Sequence, residues 1–453
     1  MLTTSRGTGA ITRNLIVDYY DTIAAAAAVS GAEPGGPAGS PGFAPAFTMP
    51  ELTEEIRGFF AAATATWRHL GDYRGHPVSM MDLTGNAGTR TTKTFPSLVI
   101  VARAVEHIRR TGDRVCLVTP TSANKGVALR DAVARALAAG LVSADRLRVV
   151  VLAPASTAHK FRVDALAADP GRRSANPLLR YPGTDPEGVK ALAREFVDVW
   201  AERAYAERGE ALWFSLALPN YLVADTARAA FEAEVSPTRD APPRWHVHAV
   251  SSAYGLLGYN LGRDLLEADG RATPADRPGF LLVQHLGTPD MVLSLRHGSF
   301  SRDHLPRYGR AADGWTQSGD PRFPAVTDDP DEVLDPTFYT HRPVTSPRMN
   351  ALVGTFGGDG VVVSRRECVE RYPLAARWLA GSPALPDDPA ELREWSLLMA
   401  LTGVWNAIDR GLVPADREIV VHGSGSYADD YAVHPPDAVV STVEEIAAVV
   451  LGG

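Results

Sequence analysis

The sequence predicts an α/β protein built on parallel sheet with helices covering both faces. Short apolar runs recur at 115-VCLV-118, 148-RVVVLA-153, 211-ALWFSLAL-218, 245-WHVHAV-250, 280-FLLVQ-284 and 418-EIVVH-422, and helix-length segments separate most of them. Strand then helix, repeated, calls for parallel pairing, because a parallel crossover needs a connection long enough to hold a helix. The intervening segments carry helical spacing. In 185-DPEGVKALAREFVDVWAERAYAER-208, Asp185 is a candidate N-cap, Pro186 suits the first turn, and Val189, Leu192, Phe196, Val197 and Trp200 share one face.

The 453 residues are too many for one small core and divide into roughly three units of ~150 residues or two larger ones. Residues 1–50 read as an N-terminal arm or linker, since 30-SGAEPGGPAGSPGFAPAF-47 is rich in residues that bury little and break both regular periods. Residues 51–430 carry the strand-helix alternation, with a smaller domain expected at about 110–220, and 431–453 read as a C-terminal tail. Residues 297–346 break the rhythm: they are polar, rich in Pro, Asp and Arg, and without periodicity. A loop insertion this long is a lid, an interface segment or disorder.

The formal charge of −8, from 45 basic and 53 acidic residues, comes without a long basic run, so no nucleic-acid partner is expected. Two cysteines give neither a disulfide framework nor a thiolate zinc site, which fits a reducing cytoplasm. No apolar run reaches ~18 residues and the N-terminus lacks the features of a signal peptide, so no membrane partner is expected. His246 and His248 alternate on one strand face, but without a third ligand nearby they more often pack or hydrogen-bond, and no metal is expected. At 422-HGSGSY-427 the GxSxG spacing of a hydrolase elbow is missing.

In parallel α/β folds ligands sit beyond the carboxyl ends of strands, where turns run into helix N-termini. The turn 119-TPTSANKG-126 occupies such a place and is filled with small hydroxyls, an Asn and a Gly. Upstream, 89-TRTTKTFPSLVIVARAVEHI-108 sets Lys93 among hydroxyl residues before an apolar helix; alone, such a lysine reads as a solvated surface residue. The order is then 219-PNYLVADTARAAFE-232, 250-VSSAYGLLGYNLGRDLL-266 and 421-VHGSGSYAD-429.

This ordered set, over roughly residues 70–430, resembles the threonine synthase branch of the fold-type II pyridoxal-phosphate enzymes, the tryptophan-synthase-β-like superfamily. The resemblance implies two doubly wound parallel-sheet domains with the cofactor cleft between them, a homodimer, pyridoxal 5'-phosphate as cofactor and an amino acid as substrate. It makes Lys93 the Schiff-base lysine, which holds the cofactor and then shuttles the α-proton. Asn124 is expected against the cofactor's phenolic oxygen, with Thr121, Ser122, Ala123 and the helix start receiving the substrate carboxylate and Lys125 a bystander. Ser251, Ser252, Ala253, Tyr254 and Gly255 are expected to hold the phosphate, and His422 or, preferably, Ser424 to face the ring nitrogen.

Two departures stand out. The family's phosphate loop is mostly glycine where this chain has Ser-Ser-Ala-Tyr-Gly, and Thr94 and Phe95 replace an Asp-Arg pair after the lysine. They point away from phosphohomoserine and toward a relative in specialised amino-acid biosynthesis, catalysing elimination or replacement at the β or γ carbon. Two other readings stay open: a relative that binds without catalysing, and a nucleotide-binding α/β oxidoreductase, although GxGxxG is absent after the first strand.

Overall fold

The computed structural model describes residues 9–30, 35–183, 185, 187–237, 243–428 and 430–452. Two sheets organise them. The larger has seven strands in the order Ile11–Asn14, Thr64–Tyr73, His76–Asp82, Glu418–Gly423, Arg244–Ala249, Gly279–His285 and Gly358–Val363. From His76–Asp82 onward its neighbours are parallel, and the first three strands form an antiparallel edge. The smaller has five parallel strands in the order Ala438–Val439, Leu178–Tyr181, Leu147–Pro154, Arg114–Pro120 and Glu210–Phe214.

The six apolar runs all contribute strands to these sheets. Most are continuous apolar runs because they are covered on both faces, every residue of Gly279–His285 being buried, whereas 245-WHVHAV-250 alternates with histidines of which His246 is fully buried. The run 211–218 splits, its strand ending at Phe214 and Leu218 opening the helix Leu218–Asp225, where Pro219 suits the first turn. The helix predicted from residue 185 begins at Gly188, with Asp185 bonded to the Glu187 N–H at 2.9 Å; Pro186 lies outside the described residues. Its buried face includes Val189, Leu192, Phe196 and Val197, while Trp200 is half-buried.

Two helices are nearly enclosed. Ser396–Asp409 is apolar all round and buried through Ile408, as expected of a helix that runs inside a layer rather than over it. Thr94–Thr111, which follows Lys93, is buried for most of its length and stops at Gly112, whose φ of 77° takes the left-handed conformation of a C-terminal cap.

Both chain ends differ from the expected arm and tail. Ile11–Asn14 pairs with Thr64–Tyr73, and Leu15, Ile16 and Ile23 enter the same core as the helix after Lys93. Residues 35–50 carry no helix, yet the chain is pinned there: Phe43 packs edge-on against His107, and Arg103 donates to the carbonyls of Pro45 and Ala46. At the other end, Ala438–Val439 extends the small sheet, and Val443–Leu451 packs against Gly188–Arg208. Backbone pairing and carbonyl acceptors need no side-chain pattern, so the two strand pairings and the Arg103 contacts leave no local signal, although Val443–Leu451 is itself an apolar helix. Residues 297–346 are described throughout and include a three-stranded sheet of Gly309–Ala311, Gly314–Thr316 and Val326–Thr327.

The helix Tyr254–Ala268 lies close against Leu218–Asp225 and Ala227–Val235 at two glycines. A Cβ on Gly258 would sit 2.5 Å from Asp225 Cβ, and one on Gly262 would collide with the Thr226 carbonyl and lie 2.9 Å from Ala229 Cβ. Gly354, in the helix Ser346–Phe356, faces open space. In denaturant titrations Gly262→Ala should cost about 1–3 kcal/mol through overpacking. Gly354→Ala should be neutral or stabilise by up to about 1 kcal/mol through helix propensity.

Candidate active site

The strands Arg114–Pro120, Arg244–Ala249 and Glu418–Gly423 end at one cavity of about 1080 Å³, which lies between the two sheets. Lys93 reaches into it from the start of the helix Thr94–Thr111, with Nζ 5.9 Å from the centroid of the Tyr221 ring. Lys125 approaches the same ring at 5.6 Å and donates to the Ser215 carbonyl and hydroxyl at 2.9 and 3.1 Å. Lys125 is therefore part of the cavity wall rather than a bystander. Burial lowers the pKa of Lys93; Asp225 and Glu394 oppose that shift and Arg228 adds to it. Lys125 falls well below its ordinary value, first through burial and then through the charge of Lys93. Lowered pKa values leave more of each amine unprotonated, the form that attacks a carbonyl carbon or takes a proton.

The turn after Arg114–Pro120 contributes Thr121, Ser122 and Asn124 to the lining. The Thr121 hydroxyl oxygen accepts from the N–H groups of Ala123 and Gly126, both at 3.1 Å. Ala123 lies outside the lining, fully buried, its N–H taken by Thr121 and its φ at 121°, so it does not join the carboxylate cradle expected for it. Asn124 is held at both ends: its amide donates to Glu394 Oε2 at 2.7 Å, and Tyr427 donates to its oxygen at 2.9 Å.

Ser251, Ser252, Ala253, Tyr254 and Gly255 all line the cavity, with Ala253 in the left-handed region (φ 53°) immediately before the helix Tyr254–Ala268. On the neighbouring strand end Ser424 lines the cavity and its buried hydroxyl has no partner. His422 does not reach the cavity. Its ring sits beneath the floor, where Arg228 Nη1 is 3.3 Å from Nδ1 and His246 Nδ1 is 2.8 Å from Nε2. His246 Nε2 is in turn 3.1 Å from Glu232 Oε1. An arginine only donates, so His422 Nδ1 accepts, its Nε2–H donates to His246, and the His246 Nε2–H donates to Glu232. Of the two alternating histidines only His246 belongs to this hydrogen-bond chain; His248 lines the cavity, its ring centroid 5.6 Å from that of His422, and bonds the Ala249 carbonyl at 2.6 Å.

A second cluster joins the layers. Lys160, beside the small sheet, donates to Asp335 at 2.7 Å and Glu394 at 3.2 Å, and all three side chains are buried. Burial alone would lower the lysine's pKa, but the two carboxylates raise it. Asp335 also receives the Thr337 N–H at 2.9 Å and the Trp395 N–H at 3.0 Å. Thr337, Phe338 and Tyr339, which follow it, line the cavity, as do Ser301 and Arg302 from the other end of the 297–346 segment.

Arg228, Lys125 and the Lys160 cluster escaped the sequence reading. Arg228 left one signal, a charge inside the otherwise apolar 227-ARAAF-231 helix, whereas Lys125 resembled any lysine in a first helical turn, and the Lys160 cluster joins residues far apart in the chain.

Comparison with known proteins bears on the family and the fold. A family model described as "Family of unknown function (DUF6002)" matches residues 11–452. The chain belongs to this family. No curated protein matches this family member by sequence. Among solved structures, it is similar to the threonine synthase from Escherichia coli, with a TM-score of 0.53 at 16% identity over 97% of this chain and 81% of that one. It is also similar to an L-serine ammonia-lyase from Rhizomucor miehei, with a TM-score of 0.50 at 14% identity over 80% of this chain and 93% of that one. The fold of this DUF6002 member is thus the one expected from the motif order, that of the fold-type II enzymes. Among its described residues no helix is long and apolar enough to cross a membrane.

The two buried clusters make separate predictions. Lys160→Met leaves Asp335 and Glu394 facing each other without their cation and should cost about 3–5 kcal/mol in denaturant unfolding, with part of the loss restored in Lys160→Met/Glu394→Gln. Burial alone would raise the Glu232 pKa, but the donors His246, Arg244 and Tyr259 hold it down from 4.5 to about 2. A depressed carboxylate stabilises the fold above its unfolded value, and that contribution is lost as pH falls from about 4.5 toward 2. Stability measured against pH in that window should fall less steeply in Glu232→Gln than in the unaltered chain.

Proposed function

We propose that this protein is a pyridoxal 5'-phosphate-dependent enzyme that catalyses elimination or replacement at the β or γ carbon of an amino acid, with Lys93 as its cofactor lysine. The observation that carries the proposal is the placement of the Lys93 amine, with its lowered pKa, in one cavity with a helix start at Tyr254 and a buried, unpartnered hydroxyl on Ser424. This donor set fits the cofactor: an amine for its aldehyde, N–H groups for its phosphate and a hydroxyl for its ring nitrogen.

When bound, the cofactor supplies an electron sink for the substrate's α-carbon. The protein's own groups do the rest. Lys93 Nζ would hold the cofactor at its aldehyde carbon and, when free as an amine, would take the substrate's α-proton. Ser122, the Thr121 hydroxyl and the start of the helix Asn124–Ala138 orient the substrate carboxylate. Asn124 spends one amide hydrogen on Glu394 and keeps a second for the phenolic oxygen.

The residues after the lysine support a specialised relative over threonine synthase itself. Thr94 and Phe95, at the places of the family's Asp-Arg pair, are both buried; the Thr94 hydroxyl is 2.6 Å from that of Thr89 and 3.0 Å from the Thr91 carbonyl. Neither can serve a substrate phosphate as a charged pair would.

The test is spectroscopic. Purified protein with added cofactor should absorb in the visible, borohydride should bleach it, and mass mapping should find the reduced adduct on Lys93. Lys93→Ala should lose colour, adduct and activity together. An adduct on Lys125 would move the cofactor lysine by one element, and a protein that stays colourless with cofactor would overturn the proposal.

A further inference from the structure

The loop at 251–255 offers the phosphate four residues with side chains before its glycine, and the helix behind it opens with a bulky tyrosine that packs edge-on against Tyr221 at 5.0 Å. Close backbone approach, which a glycine loop would give, is restricted here. A charged group stands directly behind the loop. A Cβ on Gly255 would lie 2.6 Å from Arg228 Nη1 and 3.0 Å from both Cζ and Nη2, so the guanidinium packs against the second residue of the helix.

We propose that Arg228 is an anion-binding residue of this cavity that holds the cofactor phosphate together with the start of the helix Tyr254–Ala268; the inference rests on the cofactor reading above. Arg228 lines the cavity although only 1% of its surface is exposed, and its Nε has no hydrogen-bond partner. Asp225 Oδ1 lies 2.6 Å from Nη2, and His422 Nδ1 accepts from Nη1 at 3.3 Å. Asp225 meets the guanidinium as an ion pair without a hydrogen bond, so at least three of the five N–H donors remain, among them the one on Nε. A helix start presents roughly half a positive charge, and the guanidinium, although paired with Asp225, adds charged N–H donors that are not lost by deprotonation. That addition offsets the missing glycines.

The network beneath gives the guanidinium a fixed aim. Glu232 accepts from His246, and His246 from His422, so His422 presents an acceptor to Arg228 rather than a competing donor. Asp225 anchors the other side. His422 thus supports the cavity through Arg228 and does not enter it.

The experiment compares two ligands that differ by the phosphate. Full-length protein stripped of cofactor is titrated with pyridoxal 5'-phosphate and with pyridoxal, following absorbance and tryptophan fluorescence. Arg228→Met should weaken the phosphorylated ligand by about 10–100-fold, the scale of a lost charge-assisted contact, and leave pyridoxal within about twofold. Arg228→Lys should recover part of the loss, and inorganic phosphate should compete with the phosphorylated ligand in the unaltered chain. Thermal unfolding checks the fold; if Arg228→Met does not fold, Asp225→Asn/Arg228→Met removes the pair together and is read with the same ligands. Equal weakening of both ligands, or no weakening of either, overturns the role of Arg228. Failure of the unaltered chain to bind the cofactor or form the Lys93 adduct would instead overturn the reading on which the role rests.

Discussion

Lys160 sits between two buried carboxylates, and the candidate site depends on that contact. Asp335 belongs to the long segment after residue 297, Glu394 precedes a helix of the large-sheet layer, and Lys160 follows a strand of the small sheet. One ammonium therefore ties three parts of the chain where they meet at the cavity. Through Glu394 the tie reaches Asn124, and through Asp335 it reaches the backbone of Thr337. Two like charges this close in a low-dielectric interior would repel strongly if left alone, so the lysine is the condition under which the layers can close.

The second polar network works inside the large-sheet layer. Glu232 gathers Arg244, His246 and Tyr259, and Arg244 also pairs with Glu418 on the adjacent strand. Every link is a buried group with a matched partner, which a low-dielectric interior requires. The chain runs from Glu232 through two histidines to Arg228, which itself lines the cavity. Residues that look like site residues by type can thus act one layer below the site.

Three of the six described non-glycine residues with positive φ lie at or beside the cavity. Ala123 and Ala253 both take positive φ immediately before helices that begin at the cavity, and Arg342, with φ 48°, lines its mouth. Residues with a Cβ pay a steric cost in that region, and such costs persist where the surrounding structure holds the turn in one shape. At Ala123 the holding contact is the Thr121 hydroxyl; at the loop after residue 250 it includes the bond from Thr345 to the Ser252 carbonyl at 2.6 Å.

The sequence by itself determined the strands, the helix after Lys93 and the polar turns at the strand ends, because continuous apolar runs and strand-turn-helix order are local properties of the chain. Parallel α/β topology then brings such turns to one edge, and Lys93, Thr121, Ser122, Asn124, Ser251 to Gly255 and Ser424 line one cavity. What a side chain meets across that cavity is not local. Only the tertiary structure decided that Ala123 turns inward, that His422 lies beneath the floor, that Lys125 and Arg228 enter the wall, and that both chain ends join the sheets. Apart from Asp225, three residues before Arg228, the partners that place these buried charges lie tens to hundreds of residues away, where local sequence carries no trace of them.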